Sequence, residues 1–276
     1  MRIIFTLLVL LLSFEALPCT LSPRTKLVIG CAYKCGLPYK LRLNFSAWAL
    51  GYRIDVVDLR ELGPLEEALK KVDAVLIPGG ADINPDYYAD KVTPELAAYI
   101  QENRSLVKLN AESAVRDPYE YALVRSYLEN DTHADLPLLG ICRGMQMMTV
   151  GQGIPLYLDI KTELGIKNRR YLFDRVHLEK GTKLDEIYVN DSFKGFKLHH
   201  QGLRVPYYKE HAATYPDVRV TAYSNDGLIA EGIEYQSRPA IGVQYHPEKS
   251  LTGTAAPIFR WLLTRSCEYK NAKVSE

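Results

Sequence analysis

Four short apolar runs separated by segments of helical spacing constrain the fold of this chain more than any other feature. They are Lys26–Gly30, Arg53–Val57, Ala74–Ile77 and Leu136–Ile141. Apolar runs this short, rich in β-branched residues, read as buried strands. Between them, Tyr39–Leu50 has apolar residues at helical spacing and stops at Gly51, Leu65–Lys71 is a short helix, and Pro94–Asn130 is helical and charged on one face. A further helix starts at Gly144. Strands alternating with helices require a parallel sheet covered on both faces. The second half differs. Lys183–Val189, Gly195–Leu198, Val218–Tyr223, Leu228–Tyr235 and Ile241–Tyr245 read as short strands, with Asn225-Asp226-Gly227 a strong turn signal among them. Phe259–Ser266 closes the chain as a helix. The expected fold is α/β: three layers, a mostly parallel central sheet with helices on both faces, and a small antiparallel β portion. No linker or repeat interrupts residues 26–268, so they form one domain.

A chain of 276 residues with 47% apolar and 24% charged content can build a sizeable core. Its net charge of +1 provides no basic field for nucleic acid, so no nucleic-acid partner is expected. Met1-Arg2 precedes an apolar run, Ile3–Leu12, and a Pro-containing tail ending at Cys19. This matches a secretory signal peptide over residues 1–19, with delivery to the exterior, a periplasm or an endomembrane lumen. The run is short of the roughly 20 residues of a spanning helix, so no permanent membrane anchor is expected. If Cys19 leaves with the leader, Cys31, Cys35, Cys142 and Cys267 remain. Cys31 and Cys35 fit a local disulfide or two buried thiols equally well. Four N-x-[ST] sequons, at Asn44, Asn103, Asn130 and Asn190, matter if the source glycosylates.

Gly140-Ile-Cys-Arg-Gly144 stands where a buried strand meets a helix. Small residues two before and two after a central side chain permit the sharp strand-to-helix turn that exposes a nucleophile. The helix N-terminus there favours a thiolate, and the Arg143 N–H is placed as an oxyanion donor. Gly242-Val-Gln-Tyr-His-Pro-Glu248 supplies a base, His246, and a carboxylate two residues on, Glu248, which extended backbone would project to the same side. Pro78-Gly79-Gly80 follows the third strand, and is either a second oxyanion donor or a plain turn. His199-His200-Gln201 fits the lining of a substrate pocket, with structural histidines as the competing reading; ligands for a metal are not evident.

Taken together these segments resemble the class I glutamine amidotransferase superfamily, and more closely its peptidase C26 branch, which includes γ-glutamyl-γ-aminobutyrate hydrolases. The resemblance is carried by Leu76–Pro85, Leu139–Gln146, His199–Gln201, Val220–Gly227 and Gly242–Glu248, in the family's order. It implies a flavodoxin-like sheet, a Cys142–His246–Glu248 triad, and Gly79, Gly80 and Gln146 near the glutamyl group or oxyanion. It also implies a cysteine-dependent hydrolase of γ-glutamyl amide bonds acting through a thioester, with a small-molecule γ-glutamyl substrate and no metal or organic cofactor. A homo-oligomer is compatible with it. Two alternatives are a glutaminase subunit supplying ammonia to a partner and an inactive γ-glutamyl-binding protein. The chain departs from the family pattern at Thr149, at Gly153-Ile154-Pro155 and at Phe196-Lys197-Leu198, near the expected pocket wall.

Overall fold

The computed structural model describes residues 19–21, 25–166, 172–250 and 255–275. Its strands in chain order are β1 (Lys26–Cys31), β2 (Arg53–Asp58), β3 (Ala74–Ile77), β4 (Leu138–Ile141), β5 (Leu156–Tyr157), β6 (Leu172–Leu178), β7 (Ser192–Lys197), β8 (Gly202–Leu203), β9 (Val218–Ser224), β10 (Ile229–Tyr235) and β11 (Ala240–Val243). Nine of them make one sheet in the order β2-β1-β3-β4-β11-β10-β9-β6-β7, and β5 pairs with β8. The first five in that order are parallel, with registers such as Ile77 opposite Gly140 and Gly140 opposite Gly242. The other four are antiparallel.

The helices are α1 (Leu37–Ala49), α2 (Leu65–Lys70), α3 (Pro94–Glu102), α4 (Ala111–Glu129), α5 (Arg143–Gly151), α6 (Ile160–Leu164), α7 (Lys183–Ile187), α8 (Val205–Glu210) and α9 (Ala255–Ser275). Two buried clusters share the sheet between them. One gathers Val75, Ile77, Leu138 and Met145 with Leu123 and Val124 of α4. The other gathers Leu76, Leu139 and Ile141 with Leu43 of α1 and Phe259 and Leu262 of α9. Alternate residues of β3 and β4 thus enter opposite cores, which explains why these strands are apolar throughout.

The expected three-layer α/β fold is observed, and the antiparallel strands continue the main sheet rather than standing apart from it. Other expectations are corrected. Lys183–Val189 is not a strand: the Thr182 hydroxyl caps α7 by accepting from the Asp185 N–H at 3.2 Å. Strand β6 was not foreseen. The segment Pro94–Asn130 holds two helices with residues 103–110 between them, including a 3-10 turn over Arg104–Leu106, and Asn110 caps α4 in a capping box. Among its charged residues, Arg116, Asp117 and Glu120 are buried. The Asn225-Asp226-Gly227 turn is present, with φ of 50° and 54° at Asn225 and Asp226, the left-handed conformation that Asn and Asp tolerate best among residues with a Cβ.

Cys31 is bridged to Cys35, at the end of β1 and just before α1, and Cys19 is bridged to Cys267 on α9. The Cys19 carbonyl also accepts from the Tyr52 hydroxyl at 2.6 Å. Residue 19 therefore belongs to the folded domain, where the sequence reading placed it in the leader. The apolar run Ile3–Leu12 lies outside the described residues. Cys142 is the one free cysteine among them.

Candidate active site

Strands β3, β4 and β11 end side by side, and the segment after each enters one cavity of about 350 Å³. The carboxyl edge of a parallel sheet is where open α/β folds place their ligands. After β4 the chain turns at once into α5, and Cys142 takes φ 52° and ψ −104° at the junction. That conformation is costly for a residue with a Cβ. Close packing on both sides over-determines it. The Cys142 N–H donates to the Val243 carbonyl at 2.7 Å. A Cβ on Gly144 would stand 2.0 Å from the Ile77 carbonyl oxygen, and one on Gly140 2.6 Å from the Gly144 carbonyl carbon. The two glycines thus let α5 descend onto β3 and β4, and the thiol is lifted over the sheet edge.

After β11 comes His246, whose N–H donates to the Phe196 carbonyl at 2.8 Å. The Nδ1–H donates to Glu248 Oε1 at 2.7 Å, and both side chains are buried. The backbone between them is not extended as expected. Pro247–Lys249 is a 3-10 turn that folds Glu248 back under the imidazole. A Cβ on Gly79 would lie 2.9 Å from His246 Cε1, 3.1 Å from the Tyr39 hydroxyl and 3.5 Å from Cys142 Cβ. Thiol, imidazole and phenol therefore converge on one residue that has no side chain. Burial by itself would lower the His246 pKa, but the neighbouring Cys142 thiol and Glu248 carboxylate together raise it to about 10. This favours the imidazolium form of His246.

Three loop and helix groups surround this centre. Gly79 and Gly80 both line the cavity, and the Gly79 N–H donates to the Tyr39 hydroxyl at 2.9 Å, so that donor is occupied. Burial, then the Glu248 charge, raises the Tyr39 pKa well above its usual value, so it stays a neutral phenol. Among the described residues the Gly80 and Arg143 N–H groups donate to no protein acceptor; Gly80 lines the same cavity as Cys142, and Arg143 follows Cys142 in the chain. The Arg143 side chain turns away into the core, donating to Asp117 at 2.6 Å, Glu120 at 3.0 Å and the Ala81 carbonyl at 2.9 Å.

The remaining sequence candidates stand behind the cavity and brace it. Gln146 Nε2 donates to the Gln201 carbonyl at 3.0 Å, and Gln201 Oε1 accepts from the Ile83 N–H at 3.4 Å. Buried His199 bonds through Nδ1 to the Gln201 carbonyl at 2.9 Å. Burial and then the Lys197 charge push its pKa down to about 3, leaving it neutral. His200 bridges Asp82 at 2.8 Å and Asp159 at 3.1 Å. From this segment it is Leu198 that reaches the cavity wall. Of the departures from the family pattern, the one at 196–198 thus touches the site, whereas the Thr149 hydroxyl is turned to the Gln146 carbonyl. Sequence reasoning missed Tyr39 and Arg116. The signal for Arg116 was its pairing with Glu120 four positions on, and nothing local marks Tyr39. Among the described residues no group of three or more His, Cys, Asp or Glu side chains could hold a metal ion.

A cysteine on a strand-to-helix elbow, with a buried His–Glu pair at the carboxyl edge of a 2-1-3-4 parallel sheet, defines a class: the fold of the class I glutamine amidotransferases. Solved structures share it. A glutamine amidotransferase from Thermotoga maritima superimposes with a TM-score of 0.51 at 17% identity, covering 91% of this chain and 86% of that one. The glutaminase domain of Trypanosoma brucei CTPS gives 0.60 at 16%, covering 88% and 94%. The Peptidase C26 family model matches residues 49–248, and the chain belongs to that family. Among its relatives, γ-glutamyl-γ-aminobutyrate hydrolase of Escherichia coli O157:H7 is 29% identical over 204 residues, 69% of each protein. NtpR of Enterococcus hirae is 30% identical over 190 residues, 65% of this chain and 68% of that protein. The family is one of hydrolases and amidotransferases.

Proposed function

We propose that this protein is an exported cysteine hydrolase that cleaves γ-glutamyl amide bonds of small molecules or short peptides. The observation that carries the chemistry is the convergence of Cys142, His246 and Tyr39 on Gly79, with Glu248 bonded to the imidazole. In the proposed reaction the Cys142 thiolate attacks the γ-carbonyl carbon, and the carbonyl electron pair moves onto oxygen beside the Gly80 and Arg143 N–H groups. The tetrahedral adduct collapses as the imidazolium of His246 gives its proton to the departing amine. Water then attacks the γ-glutamyl thioester, its proton passing to His246, and glutamate and thiolate are released. The γ-glutamyl preference is supported by the relatives, and the presence of Leu198 on the wall supports an amine portion with apolar surface. Export is supported by the apolar run near the N-terminus and by two disulfides, which persist in oxidising compartments.

The test is product analysis by mass spectrometry on γ-glutamyl-γ-aminobutyrate, γ-glutamyl dipeptides, poly-γ-glutamates and free glutamine, with wild type beside Cys142→Ala. Glutamate release from amides by wild type alone is expected. Equal turnover by both proteins would sink the assignment, and turnover of glutamine alone would make the protein a glutaminase. Iodoacetamide labelling of Cys142 no faster than that of a free thiol at neutral pH would support a binding protein instead.

A further inference from the structure

We propose that Arg116 is a positioning residue that sets the oxyanion site by gripping two successive peptide carbonyls of the Pro78-Gly79-Gly80 segment. The proposal rests on the hydrolase reading above and concerns a side chain that does not itself reach the reacting atoms.

Arg116 lies on α4, far in sequence from the elbow, and its side chain is 1% exposed. Its Nη2–H donates to the Pro78 carbonyl at 2.7 Å and its Nη1–H to the Gly79 carbonyl at 2.9 Å. Two carboxylates hold the guanidinium in place: Glu120 accepts from Nε at 2.7 Å and Glu112 from Nη1 at 2.6 Å. Glu120 is in turn bonded to Arg143, the residue after the nucleophile. The planar fork is therefore oriented from behind, and both carbonyls meet it from one side.

Among the described residues no peptide bond is cis, so in this segment each N–H points opposite to the carbonyl oxygen of its own peptide. The Pro78 carbonyl faces Arg116, and the Gly79 N–H of the same peptide accordingly faces the Tyr39 hydroxyl, on the cavity wall. The next peptide repeats the pattern. With the Gly79 carbonyl on Arg116, the Gly80 N–H is directed away from α4, to the side where Cys142 and His246 stand. Tyr39 occupies the first donor of this small nest of N–H groups and leaves the second for an oxyanion. A cation behind the carbonyls also polarises both peptides, which strengthens their N–H groups as donors.

Without Arg116 the two carbonyls lose their partner, and a glycine pair has the conformational freedom to rotate the peptide. The thiol and imidazole, held by β4, β11 and Glu248, keep their places. The loss then falls on stabilisation of the tetrahedral adduct and not on substrate binding. Removing one oxyanion donor lowers turnover by roughly 10²–10³-fold.

The experiment uses the full chain as wild type, Arg116→Lys and Arg116→Ala, the last with and without guanidinium at non-denaturing concentration. Four quantities are read: kcat and KM on a γ-glutamyl anilide, the rate of Cys142 alkylation by iodoacetamide, affinity for a γ-glutamyl aldehyde, and the melting temperature. The aldehyde forms a hemithioacetal that needs the oxyanion site; alkylation does not. For Arg116→Lys we expect kcat lower by roughly a hundredfold or more, an aldehyde affinity lower in parallel, and KM and alkylation within about threefold of wild type. Guanidinium should restore part of kcat to Arg116→Ala. A kcat within threefold of wild type overturns the proposal. So does a parallel loss of alkylation, kcat and melting temperature, or failure of both variants to fold, since each marks a merely structural role. Wild type that alkylates quickly but neither hydrolyses the anilide nor binds the aldehyde overturns the hydrolase reading itself.

Discussion

At the scale of the residue, the centre is organised by positions where a side chain is either strained or absent. Cys142 holds a positive φ that only the packing of Gly140 and Gly144 sustains. Cys142→Gly relieves that strain, and Cys142→Ala keeps it. We expect the glycine variant to be more stable than the alanine variant by about 1 kcal/mol, with both inactive, as read by denaturant unfolding. A lower stability for the glycine variant would show that the elbow is unstrained. His246 leads to a pH prediction. Its imidazolium persists to about pH 10 in the free protein, so the alkaline limb of kcat/KM should fall near 10 rather than near the usual 6.5. The sign follows from the raised pKa: the stabilisation is complete below the unfolded value and is lost as pH rises through 10. A plot of log kcat/KM from pH 5 to 11 checks it. The elbow and the His246–Glu248 pairing were legible from sequence because both are short, the elbow through its glycine spacing; the 3-10 turn over Pro247–Lys249 that folds Glu248 under the imidazole was not. The positions of Tyr39 and Arg116 were not, since neither is adjacent in the chain to what it holds.

At the scale of the element, the site is the meeting of three strand ends and three helices, with α1 supplying Tyr39. Helix α5 descends on β3 through Gly144, and helix α4 reaches the same loop with Arg116. Gly144→Ala should push α5 off β3, lowering the melting temperature by several degrees and abolishing Cys142 alkylation above the free-thiol rate. Alkylation at the wild-type rate would show that the elbow tolerates the shift. Strands β1, β2, β3, β4 and β11 were readable because apolar runs of this length have few alternatives. The misreading of Lys183–Val189 has a physical source: a segment this short cannot display a period, and only the Thr182 cap distinguishes the helical turn Lys183–Ile187 from a strand. The burial of Arg116, Asp117 and Glu120 escaped detection for a related reason. Charges on a helix are usually solvated; here Arg143, 27 residues beyond Arg116, pairs with Asp117 and Glu120 inside, and Arg116 pairs with Glu112 and Glu120.

For the whole molecule, two long-range features govern stability. The Cys19–Cys267 bridge closes nearly the entire chain, with a sequence separation of 248. Cys267→Ser should cost roughly 2–5 kcal/mol and lower the melting temperature, an effect absent when wild type and variant are both compared under reductant. Equal melting temperatures in oxidising buffer would argue against the bridge. Behind the site, Glu231 is fully buried, and burial raises its pKa to about 7 despite the Ser224 hydroxyl that donates to it. With a folded pKa above the unfolded one, its contribution is complete below about 4.5 and is lost as pH rises through 7. Glu231→Gln should therefore gain stability over wild type progressively as pH rises from about 4.5 through 7, by up to about 3 kcal/mol. Thermal melts across that range decide it: a difference independent of pH would remove Glu231 as the source.

The alternation of strands and helices in the first half, the Gly140–Gly144 elbow carrying Cys142, and the pairing of His246 with Glu248 were determined by the amino-acid sequence alone. Each depends on backbone sterics and side-chain period among near neighbours, which a linear string records. The grip of Arg116 on Pro78 and Gly79, the capture of the Gly79 N–H by Tyr39, the occupation of His199, His200 and Gln201 as braces, and the union of Cys19 with Cys267 were decided only by the tertiary structure. These contacts join residues from separate elements, and a hydrogen-bonding group or thiol carries no mark of its distant partner until the sheet order brings the two together.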